Sequence, residues 1–331
     1  YLLYSFCGAY MALFGLYVVW QYAGTHAFTG KGTLDPALVS GHEGILLLAA
    51  FFLILGFSVK AGMFPMHGWL PVAHPEAPAP ASAVLSGLIV KAGVLGIIRV
   101  IFYTFGADFL RGTWVQTTFI VLSLITVLMG SMLAYLEKGF KKRLAYSTVS
   151  QVSYILFGLF LLEPAGLTGG LLHVIFHACV KCGLFLCAGA VIHQTGKKRV
   201  DELTGIGKEM PVTMWCFAIL SLALIGIPPA SGFVSKWYLC MGALRAGIPV
   251  VSWLGPVVLL VSALLTAGYL LPVVIRGFFP GADYDYTQCR NREGSAFLTV
   301  PVVLLAAAAL LGGILTGGLT GYLSGLAGTV L

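Results

Sequence analysis

The stretch LHVIFHACVKCGLFLCAGAVIHQ, residues 172–194, places His173, His177 and Lys181 at intervals of four inside an otherwise apolar run. In a helix this spacing sets the three side chains on one face, about 6 Å apart per step, close enough for one water to bridge each pair. Histidine exchanges its proton near neutral pH. An ammonium in a medium of low dielectric, far from any anion, gives up its proton more readily than one in water. The face therefore reads as a lateral proton wire. The plainer reading makes each histidine a core residue hydrogen-bonded to a backbone carbonyl. Three groups in register, beside further lysines in apolar sequence, favour the wire.

Other residues of the same type compete for attention. Cys179 and Cys182 form a C-x-x-C two residues after His177. A structural zinc site needs four convergent ligands, so no metal site is expected there. The seven cysteines fall mostly in apolar runs and read as small buried hydrophobes rather than as a disulfide framework. His67 and His74 lie at GWLPVAHPEAPAPAS, where five prolines from Pro65 to Pro80 enforce an irregular connection. They could gate water entry or simply hold the loop by hydrogen bonds.

The elements that must position these groups follow from composition. Of the 331 residues, 59% are hydrophobic and 9% charged, whereas a soluble domain carries about 25% charged residues. Mean hydropathy is +0.95. The expected fold class is all-α, a polytopic transmembrane helix bundle. Nine stretches reach the ~20 apolar residues needed to cross a bilayer: 2–20, 44–63, 82–104, 114–136, 144–162, 167–193, 211–241, 252–278 and 296–320. The first residue, Tyr1, already lies in an apolar run with no initiator Met and no charged leader, so the chain is expected to be a fragment whose beginning is missing.

The nineteen basic residues test the topology. With alternating loops, one side receives Lys138, Lys141, Lys142, Arg143, Lys197, Lys198, Arg199, Lys208, Arg276, Arg290 and Arg292. The other receives Lys31, Arg99, Arg111 and Arg245. Excess Lys and Arg mark the cytoplasm, which puts Tyr1 inside and the C-terminus outside. Lys141, Lys142 and Arg143 are then topology and headgroup charges. The remaining four, Lys60, Lys91, Lys181 and Lys236, fall within predicted spans, and all twelve acids lie in loops or at span ends. A lysine at the bilayer centre costs roughly 2.5–3.5 kcal/mol on insertion scales, so four of them imply a use.

Two spans carry helix breakers: Gly62, Pro65 and Gly68 after Lys60, and Pro228, Pro229 and Gly232 before Lys236. Unwound backbone at membrane depth is tolerated only inside protein or beside a hydrated cavity. Paired interruptions in corresponding halves are the mark of an inverted-repeat transporter. The expected organisation is a single transmembrane domain over 1–331, with the remainder of a first half-channel in 1–110, a second half-channel in 111–280 and a C-terminal span in 281–331. The glycines of LGGILTGGLTGYLSGLAG near the C-terminus read as close helix packing. There is no Gly-rich phosphate loop, and no convincing site for nicotinamide, flavin, quinone or iron–sulfur groups, so no cofactor is expected in the chain.

Four segments, VKAGMFPMHGWLPVAHPEAPAPASAVLSGLIVKAG, KKRLAYSTVSQVSYILFGL, HVIFHACVKCGLFL and GIPPASGFVSKW, spread in order over residues 59–237, resemble the antiporter-like proton-translocating subunits of respiratory complex I, of Mrp-type cation/proton antiporters and of membrane-bound hydrogenases. The resemblance implies that Lys60 is the central lysine of the first broken helix, paired with a glutamate on an earlier helix. It implies that Lys91 is the connecting lysine, that His173, His177 and Lys181 link the half-channels, and that Lys236 is the terminal residue on the second broken helix. It further places Tyr1 near the sixth span of the family. Two departures stand at the cytoplasmic end: Val72 where the family has Asp in WLPDAH, and Glu137 shifted relative to the acid that precedes KRLLAYS.

The implied function is a proton-translocating subunit working with other membrane subunits, in a bacterial or archaeal cytoplasmic membrane. Driving one charge against 100 mV takes about 2.3 kcal/mol, so a redox partner or an opposing ion gradient must supply it. A sodium/proton antiporter subunit of Mrp type and a non-conducting scaffold are the alternatives. GIPPASGFVSKWYL and HQTGKKRVDELTGIGKEMP lean towards the Mrp-like and hydrogenase-like branches.

Overall fold

The computed structural model describes residues 1–23, 32–281, 284 and 291–331. Lys31, Asp283, Asp285 and Arg290 of the charge count above lie outside the described residues. The longer helices are α1 (Leu2–Tyr22), α2 (Glu43–Ala61), α3 (Leu70–Glu76), α4 (Ala79–Phe105), α5 (Trp114–Leu136), α6 (Phe140–Phe160), α7 (Pro164–Thr195), α8 (Pro211–Ile225), α9 (Ser231–Arg245), α10 (Pro249–Phe278), α11 (Ala296–Ile314) and α12 (Thr316–Val330). No β-strand runs between them among the described residues, only two isolated bridges.

Seven of these helices, α1, α2, α4, α5, α7, α10 and α11, are long and apolar enough to cross a membrane. The chain is therefore an integral membrane protein built as a polytopic helical bundle. The expected stretch 144–162 corresponds to α6, whose start carries Lys141, Lys142 and Arg143 and whose body is buried on nearly every side. The stretch 211–241 corresponds to two helices of 15 residues each, α8 and α9. The last stretch, 296–320, is not one helix: α11 stops at Ile314 and α12 starts after a bend at Leu315. The packing expected of the C-terminal glycines holds only at its start. Gly312 and Gly313 press against Phe176 and the backbone of residues 229–231, while Gly317, Gly318, Gly321, Gly325 and Gly328 face open space.

Sequence explains where the helices stop. α2 ends because Gly62 adopts φ 78°, and its N–H caps the Ser58 and Val59 carbonyls; α8 ends at Gly226, φ 93°, whose N–H caps Leu222. These left-handed caps suit glycine, which has no Cβ to strain, better than any other residue. The prolines behind them then prevent the helix from resuming at once. α7 starts on Pro164 with the Glu163 carboxylate accepting the Gly166 N–H at 2.9 Å, and runs 32 residues to Gly196. At 1.5 Å per residue that is about 48 Å, longer than the ~30 Å hydrocarbon core.

Packing ties the basic loops together at one end. The backbones of Lys138 and Val200, and of Phe140 and Lys198, are hydrogen-bonded at 2.9 Å, and Gly205 N–H donates to the Arg276 carbonyl at 3.0 Å. Arg292 reaches Glu209 at 3.2 Å, and Lys197 approaches the same carboxylate at 3.9 Å. Arg111, from the sparsely basic set, instead donates to the Leu162 carbonyl just before α7. Arg111 thus lies beside the start of α7, whereas Lys197 and Lys198 follow its end.

Candidate functional site

The interior polar groups converge where α4, α6, α7, α8 and α9 meet. α4 carries a π-helical turn over Leu85–Ile89, and Lys91 follows it closely. Such wide turns are rare and free a carbonyl from the helical ladder. The Lys91 Nζ donates to the Ser86 carbonyl at 2.5 Å and lies 2.7 Å from His177 Nδ1 on α7. Both side chains are buried, Lys91 at 9% exposure and His177 at 1%.

Further along α7, the rings of His177 and His173 stack with centroids 5.7 Å apart. His173 Nδ1 shares a 2.9 Å hydrogen bond with the Ser235 hydroxyl on α9. The His173 ring also stacks on Tyr154 of α6, with centroids 5.6 Å apart. Tyr154 is also the ring over which Lys236 sits, with Nζ 5.2 Å from its centroid. The set Lys91, His177, His173, Tyr154 and Lys236 is therefore contiguous and buried.

Lys236 shows how an ammonium is held without an acid. Its Nζ donates to the Leu224 and Ile225 carbonyls at 2.6 and 2.8 Å. These belong to the last turn of α8, where carbonyls lack intrahelical partners and the helix dipole is negative. Lys181 is held in a similar way, donating to the Leu144 carbonyl at 2.9 Å and to the Ser147 hydroxyl on α6. Its amine thus turns towards α6, and the direct partner of His177 is Lys91. The five ion pairs found among the described residues involve none of Lys60, Lys91, Lys181 or Lys236.

Lys60 sits apart from this set, half-buried at the end of α2. Its Nζ donates to the Tyr1 hydroxyl at 2.7 Å, and it borders a cavity of about 290 Å³ lined also by Ser5, Phe57 and Trp69. The backbones of Lys60 and Gly93 come close where α2 crosses α4, so Lys60 and Lys91 stand on adjoining helices. His67 is partly buried in the break between α2 and α3. His74 is fully buried, its ring stacked on Phe185 of α7 at 4.5 Å, and neither ring nitrogen has a hydrogen-bond partner among the described residues. Cys179 and Cys182 are free thiols, and Cys182 donates weakly to the Ala83 carbonyl at 3.4 Å. Among the described residues no three His, Cys, Asp or Glu side chains group closely enough to hold a metal.

A buried lysine–histidine array inside a helical membrane bundle calls for comparison with known ion-moving membrane proteins. Residues 1–266 match the family model described as NADH:quinone oxidoreductase/Mrp antiporter, TM. The chain belongs to this family. It is 37% identical over 284 residues to NADH-quinone oxidoreductase subunit N of Desulforudis audaxviator, an alignment covering 85% of this chain and 55% of that protein. It is 30% identical over 321 residues to a component of the Na(+)/H(+) antiporter of Bacillus subtilis, covering 97% of this chain and 63% of the relative. Among solved structures, the Mrp complex from Dietzia sp. DQ12-45-1b aligns with TM-score 0.84 and 26% identity over 100% of this chain and 67% of that one. Respiratory complex I from Thermus thermophilus aligns with TM-score 0.78 and 25% identity over 98% and 66%. The chain spans about half the length of the first curated relatives it matches.

Sequence reasoning named the lysines and histidines of this family member but missed the side chains between them. Ser147, Tyr154 and Ser235 make the contacts that join them. The signal was present in KKRLAYSTVSQVSYILFGL, where Ser147, Gln151 and Tyr154 recur at three- and four-residue intervals on one face of a buried helix.

Proposed function

We propose that this chain is a proton-translocating subunit of a multisubunit membrane complex, moving protons through Lys60, Lys91, His177, His173, Lys181 and Lys236. The observation that carries this reading is the unbroken buried contact from Lys91 through His177 and His173 to Tyr154 and Lys236. Groups able to hold or pass a proton follow one another across the bundle at membrane depth, and such groups there are functional by default.

In this mechanism a proton loads Lys60 beside the first helix break and reaches Lys91 through water. Lys91 passes it to His177 across their direct contact. It then moves by His173 to Lys236, whose carbonyl cradle accepts the charged form and releases the proton when the neighbouring charge changes. Lys181, turned towards Ser147, stores a proton and sets the field along α7. His67 and His74 flank the first break and gate water there. Residues 1–110 belong to the first half-channel and 111–280 to the second, related as an inverted repeat with α2–α3 and α8–α9 as its discontinuous helices. The basic end, from Lys138 to Arg292, faces the cytoplasm of a bacterial or archaeal cell.

The chain carries no redox group of its own in this scheme, so the energy comes from partner subunits or from an ion gradient. The coverage of the Bacillus subtilis antiporter component and the TM-score of the Mrp complex favour cation exchange as the second reading, whereas the higher identity to subunit N favours redox coupling. The test is proton uptake by vesicles carrying the complete complex, driven in turn by NADH with quinone and by a sodium gradient. Lys91→Ala should abolish uptake while the exposed-loop variant Lys138→Ala behaves as wild type. Normal pumping by an assembled Lys91→Ala complex overturns the relay.

A further inference from the structure

Three fully buried polar side chains in the middle of the bundle have atoms that the relay leaves without a partner. Both amide atoms of Gln151 and the Nε2 atoms of His173 and His177 make no hydrogen bond among the described residues. Gln151 is 0% exposed, His177 1% and His173 2%. Buried polar groups are almost always satisfied, by protein or by ordered water, so such atoms need an explanation.

The register between α6 and α7 brings them together. Ser147 meets Lys181, Tyr154 stacks on His173, and Gly158 abuts Gly170. As one number of each pair rises the other falls by nearly the same amount, as two antiparallel helices in fixed register require. The same register sets Gln151 opposite His177. Gln151 also lies one turn from both Ser147 and Tyr154, on the face of α6 that looks at α7.

Chemistry explains why an amide belongs there. His177 Nδ1 is taken by Lys91. When Lys91 is charged it donates to Nδ1, and a neutral His177 then carries its proton on Nε2 as a donor. When Lys91 is neutral and accepts from Nδ1–H, Nε2 becomes an acceptor. A partner that serves both states must donate and accept. A carboxamide does both, and so does water, whereas a hydrophobic residue serves neither.

We infer that Gln151 is a positioning residue of the relay, holding an internal water that joins His177 Nε2 to His173 Nε2. The inference rests on the relay proposed above. An internal water typically makes about three hydrogen bonds, and Gln151 with the two histidines supplies that number. Gln151 itself carries no proton. It fixes the water so that the two stacked imidazoles, whose Nδ1 atoms are engaged by Lys91 and Ser235, exchange protons at their other edges.

The test uses the complete complex in vesicles, with uptake normalised to assembled complex and measured in H2O and D2O. Gln151→Met, similar in volume and without strong hydrogen-bonding groups, should slow uptake on the order of tenfold and enlarge the solvent isotope effect. Gln151→Asn should keep most of the activity, because a second water fills the missing methylene. Uptake by Gln151→Met equal to wild type, or equal losses in Met and Asn variants with an unchanged isotope effect, overturns the inference. Lys91→Ala in the same assay separates the two claims: if it pumps normally the relay itself fails, and if it alone fails to pump only the role of Gln151 falls. Should Gln151→Met not assemble, a water-resolving map of the wild-type complex decides. Density within about 3 Å of Gln151 and both Nε2 atoms supports the site, and a direct Gln151–His177 hydrogen bond without water removes it.

Discussion

Lys91 and His177 are in direct contact, Nζ to Nδ1 at 2.7 Å, although 86 positions separate them and they stand on different helices. The contact joins α4 to the long helix α7, which in turn meets α9 through His173 and Ser235. Removing Lys91 leaves His177 Nδ1 buried without its partner, and removing His177 leaves the Lys91 ammonium buried with the Ser86 carbonyl alone. We expect Lys91→Met and His177→Leu each to slow proton uptake by the assembled complex on the order of tenfold or more, and the double variant to be no slower than the worse single one. Uptake rates of the four members of this cycle check it. Simple multiplication of the two losses would show that the residues act separately.

The carbonyl cradle of Lys236 predicts a loss that charge alone does not repair. Lys236→Met uncovers the Leu224 and Ile225 carbonyls at the end of α8, and each buried acceptor left unmade costs about 1–3 kcal/mol. The complex should melt at a lower temperature as well as fail to pump. Lys236→Arg restores a cation, but its planar fork is bulkier and cannot seat at the same two oxygens. It should recover part of the thermal stability and little of the uptake. Full recovery of both by arginine would mean that only the positive charge matters.

The close packing of α9 on α8 makes a third prediction about shape. Gly232 packs so closely on α8 that a Cβ there would run into the Ala223 carbonyl oxygen, a backbone atom unable to move aside. Gly232→Ala should therefore displace α9 and lower the yield of assembled complex, at a cost of about 1–3 kcal/mol or more. Gly317→Ala, in a helix with open space around the glycine, should assemble as wild type and gain slightly in helix propensity. Thermal melting of the two purified complexes checks the contrast.

How much of this was legible in the sequence varies from residue to residue. The helical bundle and the lysines were legible because apolar runs of membrane length are rare and charges within them conspicuous. His173, His177 and Lys181 do share one buried helix, since their spacing alone fixes a face. What spacing could not give was the direction of the Lys181 amine, which depends on where α6 offers the Leu144 carbonyl. The π-helical turn before Lys91 was also hidden, because SGLI reads as ordinary helix. The bend at Leu315 was hidden for a related reason: apolar Gly-rich sequence is compatible with one long helix or two short ones, and packing at the start of α9 decides. Ser147, Gln151 and Tyr154 escaped notice because hydroxyls and amides are too common to stand out until the facing helix is known.

The last prediction concerns pH at the basic end. Burial raises the Glu137 carboxyl's affinity for protons, but the Gly139 N–H, at 2.9 Å, and Lys142, at 2.9 Å, outweigh it and hold the carboxyl below its ordinary value. A group whose folded pKa is depressed lends stability above its unfolded pKa and loses it as pH falls through the folded one. Thermal stability of the complex should therefore carry a Glu137-dependent part at neutral pH that fades as the medium is taken below the ordinary carboxylate range. Glu137→Gln removes that part, so the two melting curves should differ at pH 7 and converge in acid. Because the Lys138–Val200 and Phe140–Lys198 pairs start beside this carboxylate, the difference should also show as faster amide exchange in residues 138–142 and 198–200. Equal melting curves at pH 7 would place the hold on this turn in the backbone pairing alone.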